Sequence, residues 1–187
     1  RIADAAQTAL RAALREGMTE REIAAVARAA FAQQGATPEF AIVGIGVNGS
    51  FPHHHTGDTV LRPGQPIVCD IGGSKGGAYS DITRMACLGE PPADYAAVHA
   101  VVNAAVEAAL TLIRPGIPAQ DVDRAARNVI EAAGFGPYFT HRTGHGLGSQ
   151  IHEPPYITGT NPLLLEEGMV FTVEPGIYLP GRFGIRL

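Results

Sequence analysis

Residues 14–40 read LREGMTEREIAAVARAAFAQQGATPEF, and the pattern returns at 113–139 as IRPGIPAQDVDRAARNVIEAAGFGPYF. The offset of 99 matches Gly17 with Gly116 and Phe40 with Phe139. A second pair, LRPGQPIVCDIG at 61–72 and LEEGMVFTVEPG at 165–176, aligns at an offset of 104 and sets Asp70 against Glu174. Two copies are too few for a solenoid, which takes about three or more repeats. Helices followed by strands can resemble one another by chance, but an acid matched to an acid inside apolar strands is harder to reach that way. The order predicts an α+β domain of two pseudo-twofold helix–helix–strand halves, whose sheets meet and bring equivalent acids to a shared centre.

Local signals fill in the halves. A helix spans 2–15 and ends near Gly17; Thr19 and Glu22 form a capping box for a second helix that runs to about Gln34. Extended segments follow at 40–47, 66–71 and 77–88. A long helix starts at Pro91 and Pro92 and reaches Ile113, and another runs from Ala119 to Ala133 before Gly134. Strands are expected again at 169–174 and 183–187.

With 45% hydrophobic and 17% charged residues the chain reads as one compact domain rather than a disordered segment. A net charge of −4 gives no electrostatic ground for a nucleic-acid or anionic-membrane partner. No apolar run reads as the roughly 18 residues a bilayer span requires. Cys69 and Cys87 lie in strand-like segments and read as buried free thiols, which makes a reducing cytoplasm the expected location. A first residue that is Arg1 and an end at Leu187 inside a strand-like run suggest a piece of a longer protein.

In CDIGGSKGGAYSDITR, residues 69–84, the glycine-rich centre reads as a hairpin turn. A turn symmetric about Lys75 and Gly76 would place Asp70 opposite Asp81, with Cβ atoms about 4.5–5.5 Å apart, and like charges so placed need a cation between them. Taken alone, such a pair can equally be two solvated turn-flanking aspartates. Glu174 weighs against that, because an acid in MVFTVEPG has no place in a buried strand unless it is paired or bound to metal.

The stretch HRTGHGLGSQIHE, residues 141–153, adds His141, His145 and His152 among glycines. His145 in GHG has neighbours without side chains, so its imidazole can reach an ion close to the backbone. Three acids and one imidazole suit Mn²⁺, Fe²⁺, Co²⁺ or Zn²⁺ better than Ca²⁺. Three adjacent histidines in PHHH, 53–55, read as a solvated loop in which only His53 gains weight, since the offset of 99 maps it onto His152. His99 reads as incidental to its helix. Cys69, next to Asp70 on a strand, points to the opposite face and is no nucleophile.

Taken together, Asp70, Asp81 in SDITR, His145 in HxxGHG, His152 in HEPP and Glu174 in VEPG resemble the pita-bread metallopeptidases. That family includes aminopeptidase P, prolidase and methionine aminopeptidase, with creatinase as a metal-free relative, and the resemblance runs along essentially the whole chain. It implies the pita-bread fold, with a central curved antiparallel sheet, and two divalent ions, Mn²⁺ foremost with Co²⁺, Zn²⁺ or Fe²⁺ as alternatives. Asp70, Asp81, His145 and Glu174 are the implied ligands. His53, His152 and Glu174 are the implied catalytic groups, and His53, His141, His152 and Arg186 the substrate-binding ones.

The implied reaction is hydrolysis of the N-terminal peptide bond of a short peptide, with proline in second position. His141 and FPHHH look more like the prolidase and aminopeptidase P side than the methionine aminopeptidase side. A methionine aminopeptidase, a hydrolase of another small amide, and a non-catalytic binding module are the competing readings. A homodimer is expected at the level of the family, as is an additional N-terminal domain. The pattern departs from the family in two places. A fifth carboxylate ligand would follow Leu187, and Tyr79 stands one place away from the tyrosine of many relatives, so Tyr79 receives no catalytic role.

Overall fold

A computed structural model describes all residues, 1–187. Helix α1 (Ile2–Ala13) buries Ala3, Ala6, Gln7 and Leu10, one stripe at helical spacing. Helix α2 (Glu20–Gln33) opens on the expected capping box: the Glu22 amide donates to Thr19 Oγ1 at 3.2 Å and the Thr19 amide donates to Glu22 Oε2 at 2.8 Å. Strands β1 (Thr37–Ile45), β2 (Pro66–Lys75) and β3 (Ala78–Cys87) then form an antiparallel sheet in that order. Helices α3 (Tyr95–Leu112) and α4 (Ala119–Ala132) follow, and two small antiparallel pairs complete the chain. These are β4 (Gly144–Gly146) with β5 (Glu153–Ile157), and β6 (Gly176–Leu179) with β7 (Phe183–Arg186). The sheet of the fold is therefore antiparallel and open, divided into one three-stranded and two two-stranded pieces.

The internal repeat is written into the backbone hydrogen bonds. In the first half the Gly17 amide donates to Leu61 O at 3.0 Å and the Leu61 amide to Met18 O at 2.7 Å. In the second, the Gly116 amide donates to Leu165 O and the Leu165 amide to Ile117 O, both at 2.8 Å. Each helix-start loop is thus strapped to the segment leading into an acid-bearing stretch, and a hydrophobic core lies under each pair of helices. Ala41, Val43, Ile45, Ile67, Cys69 and Ile71 pack under α1 and α2, whereas Val102, Val122, Ile130, Ile177 and Ile185 gather around α3 and α4. Cys69 is fully buried in the first core, as its strand parity requires, and burial pushes its thiol up to about 12.

Three expectations need correction. The β2–β3 register pairs Lys75 with Ala78, which sets Asp70 across from Thr83 and Asp81 across from Gly72, so the two aspartates are diagonal rather than directly opposed. The reason lies in the turn: Gly76 and Gly77 are its two central residues, with φ of 61° and 80°, the backbone of a tight two-residue hairpin that L side chains resist. The parity survives the shift, and both aspartates stay on one face.

Residues 169–174 form no strand of their own. They run beside β4 through Leu147 N to Val170 O, Thr172 N to His145 O and Glu174 N to Thr143 O, but Thr172 Oγ1 accepts the His145 amide and the ladder reduces to a single bridge. Finally, α3 does reach the length and apolarity of a membrane span, with a mean hydropathy of 1.4 over 18 residues. His99, Asn103 and Glu107 interrupt that run in the sequence, and its buried stripe, Val98, Val102, Ala105 and Ala109, belongs to the second core.

Candidate metal centre

The face of β1–β2–β3 that turns away from α1 and α2 carries Phe40, Ile42, Asp70 and Asp81 into a cavity of about 610 Å³. His145, from β4, and Glu174, from the segment beside it, enter from the second half, so each half contributes two of the four expected ligands. His53, His141, His152 and Arg186 line the same cavity. All eight residues singled out in the sequence are therefore brought together, while His99 stays on α3 beside Tyr95, with ring centres 5.8 Å apart.

His145 is 3% exposed and its orientation is fixed from behind. Nδ1 lies 3.0 Å from Gly146 O, and since a carbonyl only accepts, Nδ1 carries the proton. Nε2 then faces Glu174 Oε1 at 3.1 Å and Asp81 Oδ2 at 3.5 Å. A ring nitrogen and two carboxylates pointed at one another repel unless a positive charge lies between them. In the protein alone a second imidazole proton serves: burial would lower the His145 pKa, but the bonds to Asp81 and Glu174 carry it up to about 10. Burial would likewise raise Glu174, yet His145 and Arg186 hold it down to about 2.

Asp70 is turned elsewhere. Its carboxylate accepts from Thr83 Oγ1 at 2.9 Å and pairs with the Arg186 guanidinium. Burial nevertheless pushes its carboxyl up, with Asp81 and Glu174 adding to the push. The four donors do not close into one ready-made cage: Asp70 faces Arg186, while Asp81 and Glu174 face His145. The donor set itself, three crowded acids and an imidazole with its far nitrogen committed, suits a divalent ion of the Mn²⁺–Zn²⁺ series.

Arg186 was expected at the substrate. It borders the cavity, yet it is 4% exposed and its donors are engaged by Thr83 Oγ1, Pro52 O, Tyr178 OH and Asp70. Tyr178 in turn lies 2.8 Å from His141 Nε2, and His141 Nδ1 lies 2.7 Å from Arg142 O. That carbonyl fixes the tautomer, so Tyr178 donates to Nε2, and burial takes the His141 pKa down to about 4. A line of contacts thus runs from His141 through Tyr178 and Arg186 to Asp70.

Two buried acids absent from the sequence reading hold the loops of the site. Asp123 on α4 accepts from the Thr143 amide and hydroxyl at 3.1 and 2.8 Å, and from Arg127 at 3.1 Å through both Nε and Nη2. Arg127 also donates to the carbonyls of Phe139 and His141, so this pair clamps the stretch that leads into GHG. In the first half Glu20, fully buried, accepts from the Ile45 amide, Asn48 Nδ2, the Gly57 amide and the His54 ring. His54 is thereby an anchor and not the solvated residue expected, and its loop carries His53 to the cavity.

An acid in a helix's first turn is ordinary, so nothing in the sequence distinguished Glu20. Thr83, two residues from Asp81 on the same strand face, was open to discovery by alternation. Phe40, Ile42, Arg142 and Ile151 on the cavity wall gave no chemical signal.

Replacing Glu20 with glutamine is expected to cost about 2 kcal/mol, since a charged acceptor serving four donors is lost. Urea denaturation checks this. The electrostatics of His145 give a second expectation. Its folded pKa lies above the ordinary 6.5, so its contribution to stability is full below pH 6.5 and is lost as pH rises through about 10. The melting temperature of chelated protein should therefore fall between pH 7 and pH 10, and an alanine at His145 should remove that part of the slope.

Comparison with known proteins agrees with this geometry. The chain is 48% identical over 173 residues to a probable dipeptidase, PepE, of Mycobacterium tuberculosis, a match that covers 91% of this chain and 46% of the relative. An X-Pro aminopeptidase structure from Thermotoga maritima superposes with a TM-score of 0.97 at 40% identity, over 100% of this chain and 53% of that one. A prolidase structure from Pyrococcus furiosus gives 0.97 at 37% identity, over 100% and 56%. The chain thus spans about half the length of these relatives. With residues 1–187 matched from end to end, it belongs to metallopeptidase family M24.

Proposed function

We propose that the chain supplies the catalytic centre of a metal-dependent dipeptidase or aminopeptidase that cuts the first bond of short peptides, Xaa-Pro foremost. Asp70, Asp81, His145 and Glu174 would hold a pair of divalent ions, with manganese the first choice. The observation that carries this reading is the His145 geometry, in which Nε2 is aimed at two carboxylates and Nδ1 is tied to Gly146 O. The names of the relatives, dipeptidase, prolidase and X-Pro aminopeptidase, support the substrate class.

When bound, such ions supply a Lewis acid for the scissile carbonyl and a water acidic enough to attack at neutral pH. Glu174 takes the proton of the attacking water and passes it to the leaving nitrogen. Thr172 Oγ1, donating to Glu174 Oε1 at 2.8 Å, fixes its rotamer. His152, whose ring centre is 4.2 Å from that of His145, and His53 on the facing loop donate to the developing oxyanion. His141 orients substrate at the cavity wall, while Arg186 acts one step back by holding Asp70.

The test is hydrolysis by the full-length protein of an Xaa-Pro dipeptide, a longer Xaa-Pro peptide and a Met-Ala peptide, after chelation and readdition of Mn²⁺, with metal analysis alongside. Restored Xaa-Pro cleavage with close to two ions per chain is expected. Preference for Met-Ala would point to a methionine aminopeptidase. An absence of both metal and cleavage would point to a binding module of the same fold.

A further inference from the structure

We infer that Arg142 determines the length of peptide accepted: its guanidinium receives the C-terminal carboxylate of a dipeptide. The inference rests on the peptidase reading above and adds the part of the substrate that the site selects.

Arg142 follows His141 and stands three residues before His145, so the Asp123–Arg127 clamp and β4 fix its backbone on both sides. Its side chain lines the cavity that holds Asp70, Asp81, His145 and Glu174. Its side chain makes no ion pair and donates no hydrogen bond; the guanidinium lies over the Tyr156 ring, whose centre is 5.0 Å from Cζ. An aromatic face next to a guanidinium restrains the planar group while leaving its in-plane N–H donors free.

The other guanidinium on the cavity wall is already committed. Arg186 is buried with bonds to Asp70, Thr83, Tyr178 and Pro52. His141 likewise has both ring nitrogens engaged, by Tyr178 and by the Arg142 carbonyl. Arg142 is therefore the one guanidinium of the cavity with donors to offer a ligand.

The substrate's chemistry completes the match. In a dipeptide a carboxylate lies one residue beyond the bond to be cut, whereas a longer peptide or an amidated one has a neutral carbonyl there. A guanidinium binds a carboxylate through two parallel charge-assisted bonds and has no comparable grip on an amide. A free cation beside the reacting centre therefore favours the shorter substrate.

The experiment compares kcat and KM of the full-length, Mn²⁺-supplied protein on Ala-Pro, Ala-Pro carboxamide and Ala-Pro-Ala, in wild type, Arg142→Gln and Arg142→Lys. Arg142 is exposed and donates no hydrogen bond, so these variants should fold as wild type does. The glutamine variant should lose about 10- to 100-fold in kcat/KM on Ala-Pro, chiefly through KM, and change within about twofold on the other two. Lysine keeps the charge without the fork and should recover part of the loss.

Equal losses on all three substrates, or a wild type that takes the carboxamide as readily as the dipeptide, would overturn the inference. Hydrolysis of Ala-Pro with an unchanged preference in the glutamine variant sinks it alone. If the wild type cleaves none of the three, the peptidase reading fails and the inference falls with it.

Discussion

Glutamine in place of Glu174 is expected to lower kcat/KM on the proposed Xaa-Pro dipeptide substrate by about 10³-fold or more, with the loss mostly in kcat. Removal of a positioned proton carrier alone accounts for about 10²–10⁴, and this carboxylate also faces His145 at 3.1 Å. A readout independent of turnover comes from the imidazole. With the Glu174 charge removed, the His145 pKa in chelated protein should fall from about 10 towards its ordinary value, as followed by NMR titration. Activity within tenfold of wild type would remove Glu174 from the chemistry.

A methyl group at Gly144 is expected to cost about 3 kcal/mol or more, at the upper end of overpacking effects. Gly144 lies against the Thr172 carbonyl, and a Cβ built there meets that oxygen far inside contact distance and Thr172 Oγ1 at 3.0 Å. Thr172 has little freedom to yield. Its hydroxyl accepts the His145 amide at 3.0 Å and donates to Glu174, and its own amide donates to His145 O at 2.8 Å. Urea midpoints of Gly144→Ala and Gly57→Ala make the comparison, since an added methyl at Gly57 meets nothing nearer than 3.6 Å. Similar midpoints for the two variants would show that the Thr172 segment gives way easily.

Much of this was legible in the sequence because the two halves kept the same marks. Gly17 and Gly116, and Leu61 and Leu165, do the same work twice, so aligning the chain with itself gave the architecture and also marked Asp70 and Glu174, which line one cavity. His145 was readable from the glycines on either side. The β2–β3 register was misjudged because the run GGSKGG contains more than one place where a turn can form, and only the backbone shows that Gly76 and Gly77 are used.

The 169–174 segment has the composition of a strand, but a threonine hydroxyl replaces one rung of the ladder, and composition carries no trace of that. Glu20, His54 and Asp123 were missed for a different reason. Their importance lies in burial against chain segments 20 or more positions away, and a helix-start acid or a loop histidine looks the same whether or not it is buried.

The division of the donors between two cores also has a thermodynamic meaning. Asp70 and Asp81 belong to the sheet of the first half, His145 and Glu174 to the second, so a cation gripped by all four would be a further cross-link between halves already joined by Val68 and Met85 in the second core and by the Arg186–Asp70 pair. Affinity for the ion and cohesion of the halves are then a single linked quantity: a substitution that weakens their mutual packing loosens the ion, and the ion tightens their packing, by the same factor.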